Sequence, residues 1–552
     1  MTEPRLIYLP LGGAGEIGMN MYVYGYGESG RERLIVVDAG VTFSDDSSTP
    51  GVELITADFS WLIQRRRQVE AIFVTHGHLD HVGALEFVCD ELQVPIYLRS
   101  LTAEIAISNI RRSDDFTHFF RIADPYPSVC AAGPFSVSFL PVAHSIPEAA
   151  GLVIETPVGK IIHSGDFRLD VSPVIGEAFD EELWREASDG EVLALACDST
   201  NALNRAAGLS ESVVGPNLQQ LFKRCSGTVF ATTFASNIAR LYQISAAAGQ
   251  CGRKIVLLGR AMTTLVEAAA SANFLDRLPN EISLADARQL PRNSLVVIAT
   301  GSQGEERAAM ARLASGRKFK GLAARAGDTV LYSSRTIPGN ETRVAATLNA
   351  FSRLGVETIV DPKDRYHVSG HPNQPDLSQM HRLVEPELVI PLHGEHIHLA
   401  GHAKLAEENG FEALVASNGE IVDVLAGTIL RGESIAPRRC YLDGRIFSSS
   451  GKFLKTRLGM ARNGVVFVVV RMDKRGRNLQ DVTVSQAGLP LDDSESFNRQ
   501  LASDCLDVVG TERLRRASRS NAYSKRILGF TRDYCRENIG KVPIIRVVTI
   551  RG

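Results

Sequence analysis

The chain lacks the features that mark several classes of protein. None of its eight cysteines forms a Cys-x-x-Cys pair, and no apolar run approaches the roughly 20 residues that span a bilayer. The scattered cysteines exclude a disulfide framework and a zinc ribbon, and they indicate reduced thiols. A basic segment followed by an apolar one is also missing at the N-terminus. We therefore expect a cytoplasmic protein with no membrane partner.

Net charge is nearly absent as well, at −3, which argues against a protein that simply coats nucleic acid. The total hides an asymmetry between two parts of the chain. Residues 438–552 carry 23 Lys and Arg against 11 Asp and Glu, a balance of +12, whereas residues 1–437 carry 37 against 52, a balance of −15. The two parts therefore face different partners.

At 552 residues the chain exceeds the size of a single hydrophobic core, and four stretches differ in pattern. Residues 1–208 hold short β-type runs between Gly, Pro and Asp. In residues 209–375, strand-like runs are each followed by an apolar-periodic helix, which is typical of an open parallel α/β sheet. Residues 376–447 return to short strands around one helix. Residues 448–552 predict a hairpin, two helices and a last strand.

A glycine-rich run near the N-terminus matches a dinucleotide-binding fingerprint. Gly13-Ala-Gly15-Glu-Ile-Gly18 has the GxGxxG spacing, and Asp38 follows at the distance that such a fingerprint requires. A dinucleotide site needs a helix at the third glycine, whereas residues 19–30 alternate and are rich in Tyr and Gly, as in a strand and hairpin. We therefore interpret the run as a tight turn beside a functional site.

The strongest chemical signal is the run Thr75-His-Gly-His-Leu-Asp-His81, which follows a predicted strand and precedes a predicted helix at 82–92. On a loop that leaves a strand, the first two histidines point the same way, while Asp80 and His81 at the helix start face a neighbouring point. Imidazole and carboxylate are the ligands of catalytic zinc, which keeps positions open for water. The run therefore predicts two adjacent metal ions.

Further ligands are expected at the ends of strands that are distant in sequence. His144, Asp166 and His393 each follow an apolar run and precede a Gly or Pro turn. Taken singly, each of the three has a capping or core position as the alternative. Together with the histidine run they supply five His and two Asp.

In order, Asp38, the His-x-His-x-Asp-His run, His144, Asp166 and His393 resemble the motifs of the metallo-β-lactamase fold. The resemblance implies an αββα sandwich that holds two divalent ions, with Zn²⁺ expected and Mn²⁺ or Mg²⁺ as alternatives. It implies one ion bound by His76, His78 and His144, a second bound by Asp80, His81 and His393, Asp166 bridging both, and Asp38 orienting the histidine loop.

The α/β insertion makes the resemblance to a known family more specific. Asp198 in Cys-Asp-Ser-Thr, His371 in His-Val-Ser-Gly-His and His393 match three further motifs of the β-CASP nucleases. With Gly-Ser-Gln-Gly-Glu at 301–305 and Pro-Leu-His-Gly-Glu at 391–395, the set is similar to the bacterial ribonuclease J family over nearly the whole chain. The resemblance implies a metallo-β-lactamase domain in two parts (1–208 and 376–447), an inserted doubly wound β-CASP domain (209–375) and a small α+β C-terminal domain (448–552).

For function, the resemblance implies hydrolysis of RNA phosphodiesters by hydroxide activated between two metal ions. It implies a 5′-to-3′ exonuclease that prefers 5′-monophosphate ends, with some endonuclease activity, in rRNA processing and mRNA decay. The expected partners are single-stranded RNA, further subunits in a homodimer or tetramer, and RNA-degradation or ribosome-associated proteins. A small-molecule metallo-hydrolase of the lactamase or thioesterase type and a non-catalytic RNA scaffold are the alternatives.

The resemblance also implies roles for single residues. His371 beside Asp198 is the expected general acid, with Asp80 as a third catalytic residue; a purely structural His–Asp pair is the alternative. Residues 299–305 follow a strand and are predicted to open a helix, so that N–H groups and the Ser302 hydroxyl would hold a phosphate; an ordinary turn is the alternative. The expected 5′-phosphate pocket comprises Ser302, His367, Val368, Ser369, Gly370 and His371.

The basic C-terminal stretch has two expected uses. Cations concentrate at 474–477 and 513–519, where they would neutralise RNA phosphates without regard to sequence. A solvated helix face or a subunit interface is the alternative, and the family resemblance implies dimerisation through this domain.

Overall fold

The computed structural model of the chain describes residues 4–45, 47–110, 116–337, 339–360, 365–474, 479–510 and 519–551. The chain forms two compact units, Met1–Thr42 with Thr56–Arg438, and Phe43–Ile55 with Arg439–Gly552. The larger unit contains all the predicted ligand, catalytic and phosphate-binding residues. The four-part division of the sequence stays a prediction, since these two units do not separate its first three parts.

Short strands dominate the chain up to Asp198, as the sequence predicts. The strands are β1 Arg5–Gly12, β2 Ala14–Gly15, β3 Met21–Gly27, β4 Arg33–Val37, β5 Val41–Phe43, β6 Leu54–Ala57, β7 Val69–Phe73, β8 Ile96–Leu98, β9 Phe120–Ile122, β10 Cys130–Ala132, β11 Phe135–Pro141, β12 Ala150–Thr156, β13 Gly159–His163 and β14 Val192–Asp198. The helices are α1 Ser60–Gln64, α2 Leu79–Val82, α3 Leu85–Leu92, α4 Ser100–Ser108 and α5 Glu181–Ala187.

Strands and helices then alternate before short strands return. The strands are β15 Val229–Thr232, β16 Lys254–Leu258, β17 Leu295–Ala299, β18 Thr329–Tyr332, β19 Glu357–Val360, β20 Leu388–Leu392, β21 Gly394–Glu395, β22 Glu412–Ala413, β23 Val422–Asp423 and β24 Thr428–Ile429. The helices are α6 Val214–Arg224, α7 Ile238–Gln250, α8 Arg260–Ser271, α9 Leu284–Ala287, α10 Ala309–Ala314, α11 Glu341–Arg353, α12 Gln374–Val384 and α13 His396–Glu408.

Two large sheets pack face to face in the larger unit. One has the order β24-β23-β1-β3-β4-β7-β8-β9 and the other the order β10-β11-β12-β13-β14-β20-β22. Alternate residues of both sheets, including Tyr8, Phe73 and Phe139, fill one shared core. On the outer face of the second sheet, Trp184 of α5 and Met380 of α12 pack in a further core. The predicted αββα sandwich is confirmed.

The inserted sheet is entirely parallel, with the order β16-β17-β15-β18-β19. Successive residues of β15 point to opposite faces, so Val229 joins a core with α6 and α7, whereas Phe230 joins another with α10 and α11. Helices therefore cover both faces, and the prediction of a doubly wound insertion is confirmed.

Parallel pairing positions the site. In the second sheet, β13, β14 and β20 run parallel, with Asp198 at the end of β14 paired to Leu392 at the end of β20. In the first sheet, β4 and β7 run parallel, with Val37 paired to Phe73. Residues that follow these strands therefore emerge at the carboxyl edges of their sheets, which is where open α/β sheets bind ligands.

One predicted helix is interrupted. The sequence predicts a helix at 82–92, but α2 ends at Val82 and α3 begins at Leu85. The backbone N–H of Ala84 donates to the carbonyl of Ala39, 2.8 Å away, and a Cβ at Gly83 would lie 2.5 Å from Val41. A tertiary contact that the local periodicity does not contain therefore divides the helix.

The smaller unit has its own sheet and helices. Its elements are β25 Arg439–Asp443, β26 Ile446–Ser448, β27 Val465–Met472, β28 Leu479–Ala487, β29 Ile544–Arg551, α14 Lys452–Asn463, α15 Ser494–Gly510 and α16 Arg519–Ile539. The sheet β28-β27-β29 buries Val466 and Val468 against Leu501 and Ile527 of α15 and α16. The predicted hairpin, helices and last strand are confirmed. Most of the two predicted basic clusters, at 475–477 and 513–518, lies outside the described residues.

All eight cysteines are free thiols, and six of them are buried. Among the described residues no helix is both long and apolar enough to cross a membrane.

A buried ion cluster links the insertion to the second sheet. Arg240 of α7, 0% exposed, donates from Nε to Glu211, 2.8 Å away, and Arg168 donates from Nη1 to the same carboxylate, 3.2 Å away. Arg168 also lies 3.2 Å from Asp170. Buried charges are tolerated only when they are paired in this way.

We predict that Arg240→Met lowers the free energy of unfolding by about 3 kcal/mol, because removing one partner leaves charge buried without full compensation. The measurement is urea denaturation followed by tryptophan fluorescence. Arg185→Met is the matched control, since Arg185 forms an exposed ion pair with Glu181, and its effect should stay within about 0.5 kcal/mol. Equal effects of the two substitutions would contradict the prediction.

Candidate metal centre and substrate-binding site

The histidine loop leaves the carboxyl end of β7 and turns directly into α2. His78 immediately precedes the helix, so Asp80 and His81 lie in its first turn, as predicted. His76 and His81 are buried. The loop lies close to the preceding strand connection, because a Cβ at Gly40 would lie 1.6 Å from the carbonyl oxygen of Asp80. Only glycine fits at that position.

Four of the predicted ligands converge on one point. Nδ1 of His78 lies 3.0 Å from Nε2 of His76 and 3.2 Å from Nε2 of His144. Oδ2 of Asp166 lies 3.6 Å from Nε2 of His76 and 3.7 Å from Nε2 of His144. Each side chain thus offers one ligand atom, and all four atoms lie within 4.8 Å of one another.

A second group of four shares Asp166 with the first. Nε2 of His81 lies 3.3 Å from Oδ2 of Asp166 and 3.6 Å from Oδ2 of Asp80. Nε2 of His393 lies 3.4 Å from the same oxygen of Asp80, and its Nδ1 lies 2.8 Å from Oδ1 of Asp166. The structure therefore brings together all seven residues that the sequence predicts as ligands.

The chemistry of these groups fits divalent metal ions. Nε2 of His393 is buried and has no hydrogen-bond partner among the described residues. Such an atom is costly unless something binds it. Five imidazoles and two carboxylates, with no thiolate, form the donor set of a catalytic rather than a structural zinc site.

The protonation of the ligands follows from burial and from the shared carboxylates. Burial lowers the pKa of His76 and His144 well below the ordinary value and that of His78 to about 4, so these rings stay neutral, the form that binds metal. Burial also opposes charge on His393, but Asp166 outweighs it and raises the pKa to about 10. A bound cation would take the place of that proton.

Asp38 holds the loop rather than facing the ligand groups. Its Oδ1 accepts the backbone N–H of Thr75, 2.8 Å away, and its Oδ2 lies 2.7 Å from Nδ1 of His81. The backbone of Asp38 is left-handed, with a φ of 63°, and that of His393 has a φ of 51°. Such strain in non-glycine residues persists only where surrounding contacts fix it. The predicted orienting role of Asp38 fits this geometry.

A backbone carbonyl fixes the orientation of His144. The carbonyl oxygen of Gly370 lies 2.7 Å from Nδ1 of His144 and accepts its proton, which leaves Nε2 free as a ligand atom. A Cβ at Gly370 would lie 2.7 Å from Cε1 of the same ring. Gly370 is also one of the residues predicted for the phosphate pocket, and that role stays a prediction.

Asn20 is a site residue that the sequence analysis missed. Its Nδ2 lies 3.0 Å from Nε2 of His81 and donates to Oδ2 of Asp80 at 3.5 Å, and Tyr22 donates to its Oδ1 at 2.7 Å. No metal-ligand pattern contains an isolated asparagine. The available signal was its place directly after the glycine-rich turn.

The glycine-rich run is a turn, as interpreted from the sequence. Gly13, Gly15 and Gly18 all have positive φ, and the run leads into strand β3 rather than a helix. Within it, β2 pairs in parallel with β21, so that Ala14 lies opposite Gly394. The turn therefore lies beside His393, and its geometry does not match a dinucleotide-binding loop.

His371 and Asp198 form a pair beside the ligand groups. Nδ1 of His371 lies 2.8 Å from Oδ2 of Asp198, and the Asp198 carboxylate also accepts the N–H and hydroxyl of Thr200, each at 2.8 Å. Burial lowers the pKa of His371, but Asp198 and Asp166 outweigh burial, and the net shift is upward. His371 can therefore carry a proton in the site.

Of the other predicted pocket residues, Ser302 lies after a strand end, and His367, Val368 and Ser369 lie along the same segment as His371. Ser302 follows β17 and Thr233 follows β15, at the carboxyl edge of the parallel sheet. His367 and Val368 are buried, and Nδ1 of His367 lies 3.4 Å from Nη1 of Arg240. The hydroxyl of Thr233, absent from the sequence prediction, is buried without a hydrogen-bond partner among the described residues. Ser369 accepts a hydrogen bond from Asn201 at 2.7 Å and from the N–H of His371 at 3.2 Å.

One prediction about this pocket is wrong. Residues 299–305 do not open a helix, because α10 begins only at Ala309. Gly301 and Gly304 have φ values of 121° and 71°, which keep the segment in a loop. Gln303 fastens this loop by donating to the carbonyl of Arg335 at 2.9 Å and accepting the N–H of Ile337 at 2.8 Å. Ser302 is therefore not at a helix N-terminus.

Four family models match successive parts of the chain. They are described as Metallo-beta-lactamase superfamily (residues 15–190), Ribonuclease J, beta-CASP domain (226–351), Zn-dependent metallo-hydrolase RNA specificity domain (363–416) and Ribonuclease J C-terminal domain (452–552). The seven candidate metal ligands fall within the first and third of these ranges.

Whole proteins match as well. Ribonuclease J of Sinorhizobium meliloti is 36% identical over 99% of this chain and 97% of its own length. Ribonuclease J 1 of Streptococcus pyogenes is 34% identical over 84% and 82%, and Ribonuclease J2 of Bacillus subtilis is 31% identical over 85% and 84%. A solved structure of a protein of unknown function from Enterococcus faecalis V583 shares the fold, with a TM-score of 0.53 at 17% identity, and covers 77% of this chain and 100% of that one.

These matches extend over nearly the whole chain and include the RNA-specificity segment that contains His367, His371 and His393. They favour an RNA substrate over the small-molecule alternative. By this identity and coverage, the chain belongs to the ribonuclease J family of metal-dependent nucleases with the metallo-β-lactamase fold.

Proposed function

We propose that this metal-dependent ribonuclease hydrolyses RNA phosphodiesters with two divalent ions, which we expect to be Zn²⁺. It cleaves from the 5′ end, with some internal cleavage. The observation that carries the proposal is the pair of ligand groups that share Asp166. One ion would be held by His76, His78, His144 and Asp166, and the other by Asp80, His81, His393 and Asp166.

The chemistry that two bound divalent ions supply is a water molecule of lowered pKa, toward about 7, and neutralisation of charge on the phosphate oxygens. The chain's own residues do the rest. His371 gives the proton on its Nε2 to the leaving 3′ oxygen, while Asp198 holds the opposite nitrogen of the ring at 2.8 Å. Asp80, whose side chain is 32% exposed, faces the solvent side of the groups and orients the attacking water.

The 5′-monophosphate would bind at the carboxyl edge of the inserted sheet. Ser302, His367 and Ser369 supply polar groups there, and the buried hydroxyl of Thr233 supplies a donor that is otherwise unused. Hydrogen bonds from such groups to an anion are stronger than those between neutral groups. A pocket that holds a terminal phosphate sets the position of the first phosphodiester, which favours cleavage from the 5′ end.

The smaller unit offers a surface for RNA. The face of the sheet opposite α15 and α16 exposes Phe467 (40%) on the central strand β27 and Val548 (48%) on β29. Arg546 of β29 is paired to Phe467, and Val548 to Val469 of β27. Arg471 lies two positions after Val469 and therefore on the same face. An exposed aromatic ring on a face that also carries two arginines suits stacked bases and their phosphates. The homodimer or tetramer, the RNA-degradation partners and the cytoplasmic location stay predictions of the sequence.

We predict that His81→Ala lowers the amount of bound zinc and slows RNA cleavage at least about 100-fold, because one ligand of the second group is removed. Metal content by mass spectrometry and cleavage of an end-labelled RNA are the two measurements. His396→Ala is the matched control, since His396 is exposed on α13, and it should retain both properties. Full activity or an unchanged zinc content in His81→Ala would refute the assignment.

We also predict that the protein degrades 5′-monophosphorylated RNA about tenfold faster than 5′-triphosphorylated RNA, since charged hydrogen bonds in a closed pocket discriminate at this level. Ser302→Ala should reduce this ratio without changing internal cleavage of a circular RNA of the same sequence. Thr263→Ala, at an exposed position of α8, should leave the ratio unchanged. Equal rates on both 5′ ends would contradict the pocket.

For the smaller unit, we predict that replacing Arg471 and Arg546 together by Gln makes the dependence of log affinity on log salt shallower by about 1.4, since each phosphate contact with single strands contributes about 0.7. Arg499→Gln with Arg536→Gln, two exposed arginines of α15 and α16, is the charge-matched control. An unchanged slope accompanied by a change in oligomeric state would assign the face to a subunit contact instead.

A further inference from the structure

Two histidines outside the ligand groups form a buried pair behind the strand that carries Asp198. His381 lies on α12 and His402 on α13, both are 0% exposed, and their rings stack with centroids 5.1 Å apart at an angle of 12°. Their Nε2 atoms are 2.9 Å apart. Neither ring belongs to a ligand group. Two apolar side chains would fill this space without the cost of burying polar atoms.

The hydrogen bonds of the pair run in one direction. Asn409, half-buried at the end of α13, donates from Nδ2 to Nδ1 of His381, 3.3 Å away. A neutral ring that accepts at Nδ1 carries its proton on Nε2, so His381 donates to Nε2 of His402. His402 therefore carries its proton on Nδ1 and donates to the hydroxyl of Ser199, 2.8 Å away.

Both rings are neutral, as this chain of donors requires. Burial lowers the pKa of His381 to about 4, with a smaller contribution from Arg382, and burial lowers the pKa of His402 well below its ordinary value. One proton per ring leaves each ring one donor and one acceptor, and every nitrogen of the pair has a partner.

Ser199 connects this chain of hydrogen bonds to the pair of Asp198 and His371. Its hydroxyl donates to the carbonyl of Cys197 at 3.3 Å, and its backbone N–H donates to the carbonyl of Leu392 at 2.9 Å. The residues on either side, Asp198 and Thr200, form the hydrogen-bonded turn that faces His371. Ser199 thus holds in place the turn that presents the Asp198 carboxylate to His371.

We propose that His402 is a positioning residue: through Ser199 it fixes the turn that places Asp198 against His371, and His381 fixes the ring of His402 with its donor toward Ser199. The proposal rests on the proposed role of His371 and Asp198 in proton donation. A shifted Asp198 would leave RNA and metal binding intact and would misplace the proton, so the effect falls on kcat and leaves KM unchanged.

Two substitutions of His402 separate positioning from packing. In His402→Asn the amide nitrogen takes the place of Nδ1 and still reaches Ser199, whereas in His402→Gln the amide takes the place of Nε2 and reaches only His381. Both bury an amide in the same space, and both should lower the thermal midpoint similarly. We expect His402→Gln to lower kcat about fivefold and His402→Asn to keep it within about twofold, from the worth of one buried hydrogen bond.

The experiment measures kcat and KM on a 5′-monophosphorylated oligoribonucleotide with the full-length, zinc-loaded protein, together with thermal midpoint and zinc content. Ser199→Ala should reproduce His402→Gln, and the double variant should lose no more than either single one. Equal kcat losses in His402→Asn and His402→Gln would overturn the proposal, because packing alone would then explain both. Loss of zinc in His402→Gln would also overturn it, because the effect would then run through His393.

Asp198→Asn separates this proposal from the one on which it rests. We expect Asp198→Asn to lower kcat more than His402→Gln does. If Asp198→Asn keeps full kcat, the assignment of proton donation to His371 and Asp198 fails, and positioning by His402 fails with it. If Asp198→Asn lowers kcat and both His402→Gln and Ser199→Ala keep it, only the positioning role fails.

Discussion

The carboxylate of Asp166 is the constraint on which the site depends. It is 2% exposed and lies within 3.9 Å of five imidazoles, at 2.8 Å from His393 and 3.9 Å from His371 at the two extremes. A buried carboxylate requires cations or donors on every side. The sandwich satisfies much of this requirement by bringing together the ends of β7, β11, β13 and β20. His76 and His81 follow β7, His144 follows β11 and His393 follows β20, while Asp166 itself follows β13. The same arrangement of strand ends thus defines the fold of the sandwich and places the candidate ligand groups.

Much of this arrangement could be predicted from the sequence, because ligands at strand ends leave local signals. His144, Asp166 and His393 each follow an apolar run and precede a turn, and all three lie in the two ligand groups. The alternation of strands and helices in the insertion is local too, and it predicts the parallel sheet. By contrast, the helix predicted to open at residues 299–305 begins only at Ala309, because Gly301 and Gly304 take up positive φ values that apolar periodicity does not reveal. The break between α2 and α3 has a different origin, the contact of Gly83 and Ala84 with the segment at Ala39 and Val41.

The contacts that sequence reasoning missed join positions that lie between 21 and 226 residues apart. Asn20 is 61 residues from His81, and the Gly370 carbonyl is 226 residues from His144. The buried pair of His381 and His402 looks, in sequence, like two unrelated helical histidines. No spacing rule connects such positions, since each contact exists only after the sheets have formed. These residues contact candidate ligands or the residues next to them, and such contacts leave weaker sequence patterns than the candidate ligands themselves do.

The segment from His367 to His371 joins these observations, because it contacts one candidate metal ligand and carries residues of the proposed substrate pocket. Its Gly370 carbonyl sets the tautomer of His144, its His371 pairs with Asp198, and its Ser369 is held by Asn201 next to the turn that Ser199 fastens. A displacement of this segment would therefore move His371 and the carbonyl that orients His144 together. The ion cluster around Arg240 also reaches this segment, because Arg240 donates to the carbonyl of Tyr366 at 2.7 Å, just before the segment begins. The same cluster joins the insertion to Arg168 of the sandwich through Glu211, so both parts are fastened to each other beside the candidate site.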